Sequence, residues 1–366
     1  MRGMSVFFLL VLFALSSALF INSSFACTDF QVKAEDGSIV IGRSMEFAMD
    51  VKSTIFVKSR GLKMEGGSPD GKAGLTWTSK YGFVALNTFG LEDVVVDGIN
   101  EVGLSFEGLW LPGTKYQDVS KSEIAQALNV GNLGVWILGN FKTTEEVKQA
   151  IRKVRIWGSI VPELKIVPPM HIAVHDTAGN NIVIEFIEGM VNVFDNPLGV
   201  MTNAPTFDWH LTNLRNYVNL DCQDAEPLKI NGLTLLPTGH GSGMLGIPGD
   251  PTPPSRFVRA AMFVHFAEPL KGAGEAVTMA AHILNTVDIP HGEIKGDNAG
   301  MSVEDYTQWV VIKDLTNKVL YVRDYDNLSL RSIDLKKLDF TAGSAVKSVS
   351  ISTQDNGITD ISDRLR

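Results

Sequence analysis

Cysteine is nearly absent: the 366-residue chain holds two, Cys27 and Cys222. Two cysteines cannot build a disulfide framework, and no Cys/His cluster has zinc-ligand spacing, so stability must come from packing. Runs of lysine and arginine are missing as well. With a net charge of −9 the chain lacks the clustered cations that phosphate binding needs, which argues against nucleic acid as its main partner. It has no Walker sequence and no GxGxxG between a strand and a helix, so nothing points to a nucleotide. Internal repeats, low-complexity segments and proline-rich linkers are also lacking. A composition that is 45% apolar can bury a sizeable core, and without a linker one domain is the simplest reading.

Long apolar runs are equally scarce, with one exception at the start. Val6 to Phe20 is almost unbroken apolar sequence behind Arg2, and "INSSFA" then sets Ser24 and Ala26 three and one residues before Cys27. That is the n-region, h-region and small-residue cleavage pattern of a secretory signal. The run is short of the ~20 residues a membrane span needs. An uncleaved anchor and a lipoprotein signal are the competing readings; the latter usually has Leu where Ser24 stands. Residues 1–26 are therefore expected to be a cleaved signal peptide. Residues 27–366 would then be the mature chain of an exported protein, periplasmic or secreted.

In the mature chain, "TDFQV" and "SIVIG" read as strands around an "EDG" hairpin turn. Residues 61–74 form a Gly-rich loop long enough to suggest a functional edge. Strand-like pieces follow in "YGFVALNTF", "EDVVVDGI" and "GLSFEGLWL". Apolar spacing predicts helix over 121–153, with Thr143 or Thr144 capping its second part. Then come strands "MHIAVHD", "NIVIEFI", "MVNVFD" and "LGVMT", helices in 254–267 and 273–287, and the strand pair "WVVIKD"/"KVLYVRD". Hairpin-rich strands alternating with groups of helices favour antiparallel sheets covered by helices over a parallel array.

Three readings of Cys27 are open: an inert core residue, a lipid attachment point, or the new N-terminus of an enzyme that uses its own first residue. The third has a chemical logic. A thiol is a weak nucleophile until its proton is removed, and a free α-amine with a pKa of about 7.7–8.0 can accept that proton near neutrality. Nucleophile and base would then share one residue.

The stretch "CTDFQVKAEDGSIVIGRSMEF" resembles the opening of the choloylglycine hydrolase family, which holds bile salt hydrolases and penicillin V acylases. Further similar segments run in order: "DGINEVGLSFEGLW" (97–110), "NVFDNPLGVMTNAPTFDWHLTNL" (192–214), "GHGSGMLGIPGDPTPPSRFVRAAMF" (239–263) and "DYTQWVVIKD" (305–314). The resemblance implies an α+β fold, the αββα four-layer sandwich of N-terminal-nucleophile hydrolases, and an amidase that needs no metal or organic cofactor. It implies Cys27 as nucleophile and Arg43 beside its sulfur. It implies Glu46, where many members have Asp, on the α-amine, Asn203 in the oxyanion hole, and Arg256 holding the site's charges. Trp110 stands where many bile salt hydrolases carry a second oxyanion asparagine. That departure resembles the Gram-negative branch, whose members often favour phenoxyacetyl amides or long-chain N-acyl homoserine lactones. Trp110 either narrows the substrate pocket or fills core. The expected partner is a small acyl amide; a homotetramer also follows from the resemblance.

The seven histidines, His171, His175, His210, His240, His265, His282 and His291, show no HExxH and no carboxylate at a telling spacing, so they read as structural or surface residues. His171 and His175 would share one face of a strand. Cys222, in polar sequence, reads as a free or incidental thiol.

Overall fold

The computed structural model describes residues 26–91, 93–298 and 301–365; the expected signal peptide, apart from Ala26, lies outside the described residues. Cys27–Lys33 (β1) and Ile39–Phe47 (β2) form the hairpin expected from "EDG". Gly37 takes φ 86° in its turn, where a side chain would be strained, and the Ala34 N–H donates to the Ser38 carbonyl at 2.9 Å. The chain continues through Thr54–Lys58 (β3), Phe83–Leu86 (β4), Asp97–Asn100 (β5) and Ser105–Trp110 (β6) to helices Val130–Asn140 (α1) and Thr144–Ile151 (α2). Met170–His175 (β7), Asn181–Ile187 (β8), Met190–Asp195 (β9) and Val200–Met201 (β10) follow. Helices Phe207–Asn213 (α3), Pro253–His265 (α4) and Ala273–Asn285 (α5) precede the last strands, Tyr306–Asp314 (β11), Val319–Asp324 (β12), Arg331–Asp334 (β13) and Lys347–Ser350 (β14).

Six strands in the order β10-β1-β2-β11-β12-β13 make one sheet, and eight in the order β9-β8-β7-β6-β5-β4-β3-β14 make the other. Every pairing within them is antiparallel. Helices α4 and α5 share an apolar cluster with the six-stranded sheet, while α1 and α2 pack with the eight-stranded one. The layers therefore run helix, sheet, sheet, helix. Strand β2 is buried along its whole length because it has a sheet on one face and helices on the other. Gly42 permits this crowding: a Cβ there would lie 2.6 Å from the Phe30 ring packed across it.

The helical reading of 121–129 is corrected. Residues 127–129 form a strand pairing in parallel with 155–157, and α1 begins only after Asn129, whose side chain accepts from the Gly131 N–H at 2.9 Å. Asparagine competes for the backbone at a helix start, and tertiary pairing of Ala127 and Leu128 overrides their helical spacing. Thr143 caps α2 as expected, accepting from Glu146 N–H at 3.2 Å.

Between the sheets lies a layer of charge. Asp29, Arg43, Asp97, Glu107, His175 and Lys313, each from a different strand, are all fully buried. Lys313 Nζ lies 2.8 and 2.7 Å from the two Asp97 oxygens and 2.7 Å from Glu107 Oε1. Arg43 Nη1 reaches Asp97 at 3.4 Å. The His175 ring meets Asp29 Oδ2 at 2.8 Å through Nε2 and Asn181 Oδ1 at 2.6 Å through Nδ1. Two acceptors on two ring nitrogens select the imidazolium. Burial alone would lower its pKa, but Asp29 and Glu107 outweigh burial and carry it up to about 9. Three cations then balance three carboxylates. Sequence spacing showed no carboxylate for the histidines, but the fold brings one to His175 and another to His171, which meets Glu185 at 3.3 Å.

Because the folded value lies above the ordinary 6.5, the stabilisation from His175 is complete below about pH 6.5 and vanishes as pH rises through about 9. Urea unfolding should show the wild type losing about 3 kcal/mol across that window, and His175→Gln losing far less. Parallel pH dependences in the two proteins would contradict the imidazolium.

Candidate active site

Cys27 opens β1, opposite Met45 on β2, and is 3% exposed. Cross-strand partners share a face, so Cys27, Asp29, Arg43 and Met45 all point between the sheets. The sulfur lies 3.9 Å from Met45 Sδ and 3.9 Å from Arg43 Nη2. Arg43 is held by two backbone carbonyls, Gly108 at 2.7 Å and Val96 at 3.1 Å, with its guanidinium 5.0 Å from the Trp309 ring centre. Burial pushes the Cys27 thiol up, and Arg43 opposes this without reversing it. With Ala26 attached, these surroundings favour the neutral thiol.

Asn203 carries a geometry that fixes its own orientation. Its Oδ1 accepts from the Cys27 N–H at 2.6 Å and from Arg256 Nη2 at 2.8 Å. With two donors on the oxygen, the amide nitrogen must face the other way, where one N–H donates to the Trp110 carbonyl at 2.9 Å. Its second N–H remains for an incoming oxygen. Arg256, from the first turn of α4, also donates through Nη1 to the Cys27 carbonyl at 2.5 Å and to Thr28 Oγ1 at 2.6 Å. His210 supports the same loop from behind. Burial drops its pKa to about 4, leaving a neutral ring whose Nε2–H donates to the Asn203 carbonyl at 2.9 Å.

Glu46 lies on the other face of β2 from Arg43 and Met45, toward the helices. Its Oε1 accepts from Thr307 Oγ1 at 2.8 Å, and its buried Oε2 has no hydrogen-bond partner. Burial raises this carboxyl to about 7 despite Arg256. The backbone N–H of Glu46 donates to the Ala26 carbonyl at 3.0 Å, and Ala26 is itself 1% exposed. With Ala26 attached, the Cys27 nitrogen is a peptide amide and has no basic lone pair.

Trp110 ends β6 and meets Phe47 edge-on, ring centres 5.9 Å apart. Both wall a cavity of about 280 Å³ that is also lined by Cys27, Val51, Phe89, Leu164 and Met170. Among the described residues no lining side chain is charged, and besides Cys27 and the Trp110 indole only Thr88, Asn129 and Ser159 are polar. Asn129 and Ser159 bond to one another at 2.9 Å. Such a space suits an apolar group.

The structure thus brings Cys27, Arg43, Asn203, Arg256 and Trp110 together, with Glu46 just across the strand. Sequence reasoning missed Phe47, Thr307, His210 and the buried ions. Phe47 was within reach, being the next inward position after Arg43 and Met45. The ions also left a signal, as charged residues at inward positions of apolar strands such as "WVVIKD". Cys222 is exposed and, like Cys27, free. Asp29, Glu107 and His175 bring ligand-type atoms within 4.8 Å of one another. The Lys313 ammonium and the imidazolium protons already serve those atoms, so the cations there are the chain's own.

Comparison with known proteins agrees with this arrangement. Residues 27–353 match the model of the linear amide C–N hydrolases, choloylglycine hydrolase family. A bile salt hydrolase/transferase of Clostridium perfringens is 34% identical over 319 residues, covering 85% of this chain and 93% of that protein. A penicillin V acylase of Pectobacterium atrosepticum is 28% identical over 329 residues, covering 84% and 80%. Among solved structures, a variant of the conjugated bile acid hydrolase from Clostridium perfringens superposes with a TM-score of 0.79 at 30% identity, covering 92% of this chain and 100% of that one. The penicillin V acylase from Agrobacterium tumefaciens gives 0.73 at 26% identity, covering 91% and 93%. With its αββα layers and a cysteine heading β1 on the wall of an apolar cavity, the chain belongs to the choloylglycine hydrolase family of linear amide C–N hydrolases.

Proposed function

We propose that the protein is an exported amidase whose mature chain starts at Cys27 and cleaves amides joining a bulky apolar acyl group to a small polar amine. Removal of residues 1–26 frees the α-amine. The amine takes the thiol proton, and the sulfur attacks the acyl carbonyl. The free N–H of Asn203 and a backbone donor stabilise the oxyanion, and the ammonium then protonates the leaving nitrogen. Water resolves the thioester and regenerates thiol and amine. Arg256, cationic and bonded to the Cys27 carbonyl, disfavours the ammonium and so keeps the amine available as a base. Glu46 offers its unpaired Oε2 to that amine once Ala26 has left. A lipid on Cys27 would have to leave a sulfur that is packed against Met45 and Arg43, which speaks against the anchored reading.

The observation that carries the substrate class is the cavity lining, with no charge and three polar side chains besides Cys27 and the Trp110 indole. A phenoxyacetyl or long unbranched acyl group leaves nothing unpaired there, whereas steroid hydroxyls need partners. Penicillin V and long-chain acyl homoserine lactones are therefore preferred. The names of the C. perfringens relatives favour a second reading, a conjugated bile salt hydrolase with the same mechanism. Self-assembly, to a homotetramer, is part of the proposal. The hairpin of Leu228–Ile230 and Leu233–Leu235 is exposed on both faces, and a lone two-stranded hairpin this apolar is best covered by a second copy.

Intact mass of the active enzyme should begin at Cys27, and Asn203→Ala should lower kcat by about 10²–10³-fold. Activity in a protein still carrying Ala26 would sink the mechanism. In a panel of penicillin V, a long-chain acyl homoserine lactone and glycocholate, kcat/KM should rank glycocholate last; a clear preference for it would hand the case to the bile salt reading. Light scattering should give a tetramer that Leu233→Lys/Leu235→Lys disperses, and a monomeric wild type would remove the assembly.

A further inference from the structure

Six fully buried charges form a chain of contacts that leads from the nucleophile on β1 back to β1. From the Cys27 sulfur it passes to Arg43 at 3.9 Å, to Asp97 at 3.4 Å, to Lys313 at 2.7 Å and to Glu107 at 2.7 Å. From Glu107 it goes to His175 at 3.5 Å and back to Asp29 at 2.8 Å, two residues from the nucleophile and directly across from Arg43. An ionic layer of this kind is a poor way to hold two sheets together. Apolar residues of the same volume usually do as well or better, because each ion gives up its hydration. Nor is the layer fully satisfied. Asp29 Oδ1 and both Glu107 oxygens have no aligned hydrogen-bond donor, so Glu107 is held by charge alone. What such a layer supplies is a field, strong because its members are fully buried, at the uncharged sulfur beside it.

We propose that Asp29, Asp97, Glu107, His175 and Lys313 are positioning residues that set how much of Arg43's charge reaches the Cys27 sulfur. They thereby tune the nucleophile from inside the sandwich. Asp97 is shared between two cations. While Lys313 occupies it, Arg43 contacts it only at 3.4 Å and keeps its short bonds for the Gly108 and Val96 carbonyls, which aim Nη2 at the sulfur. Removing the Lys313 charge gives Asp97 and Glu107 to Arg43 alone, and the field at the sulfur becomes more negative. Removing the Glu107 charge does the opposite. The other charged or titratable groups facing Cys27 are Glu46 on β2, Arg256 on α4 and, in the mature chain, the residue's own α-amine, and neither variant replaces any of them.

The inference rests on Cys27 being the nucleophile, and its test reads the thiol rather than turnover. The pH dependence of Cys27 alkylation by iodoacetamide, followed by mass spectrometry on the mature protein, should move to higher pH in Lys313→Met and to lower pH in Glu107→Gln. Each shift should be about half a pH unit or more. The charge-balanced Lys313→Met/Glu107→Gln protein should return near wild type, and it covers the case in which Lys313→Met alone does not fold. A purely structural layer would give shifts of one sign or none, and either result overturns the proposal. Failure of the nucleophile reading shows separately, as full amidase activity in Cys27→Ser.

Discussion

The register between β1 and β2 sets Cys27 opposite Met45 and Asp29 opposite Arg43, and nearly everything at the site follows from it. Strand side chains alternate, so a slip of one residue would turn the sulfur, the guanidinium and the Asp29 carboxylate toward the helices. It would carry Thr28, Ser44 and Glu46 into the space between the sheets in their place. The tight turn at Gly37 fixes that register from one end, and the Phe30 ring over Gly42 fixes it in the middle. Cys27 and the ions Asp29 and Arg43 are thus placed by one hairpin.

Around that hairpin the structure divides its electrostatics by face. On the helix side, Arg256 ties together the Cys27 carbonyl, Thr28 and Asn203, with Glu46 raised to about 7 nearby. On the inner side, Arg43 stands between the sulfur and a balanced set of buried ions. With Ala26 attached, burial outweighs the guanidinium and favours the protonated sulfur. This division suits a reaction in which the amine handles the proton on one face while the sulfur meets the acyl group on the other.

Asn203 shows how a single side chain is made unambiguous. An amide can usually flip, but two donors on its oxygen and a carbonyl at its nitrogen leave one orientation. The Trp110 indole meanwhile packs on Phe47 and gives the cavity its apolar wall, while the Trp110 backbone carbonyl anchors the asparagine. One residue therefore anchors the asparagine and walls the cavity through different atoms.

Much of this was written in the chain. Alternating and continuous apolar strands, the "EDG" turn and the Thr143 cap pointed to antiparallel sheets covered by helices, because local spacing and short-range turn chemistry determine such features. The four-layer sandwich and the roles of Cys27, Arg43, Asn203 and Arg256 came from the resemblance of the ordered motifs. The break in the helix at 127–129 was hidden, since it depends on a strand at 155–157 that no local pattern reveals. The pairing of His175 with Asp29, 146 positions away, was hidden for the same reason. Sequence determined which residues could react. Only tertiary structure decided which charges share a dry interior and on which face of β2 each one acts, because burial and through-space fields depend on neighbours brought together by packing.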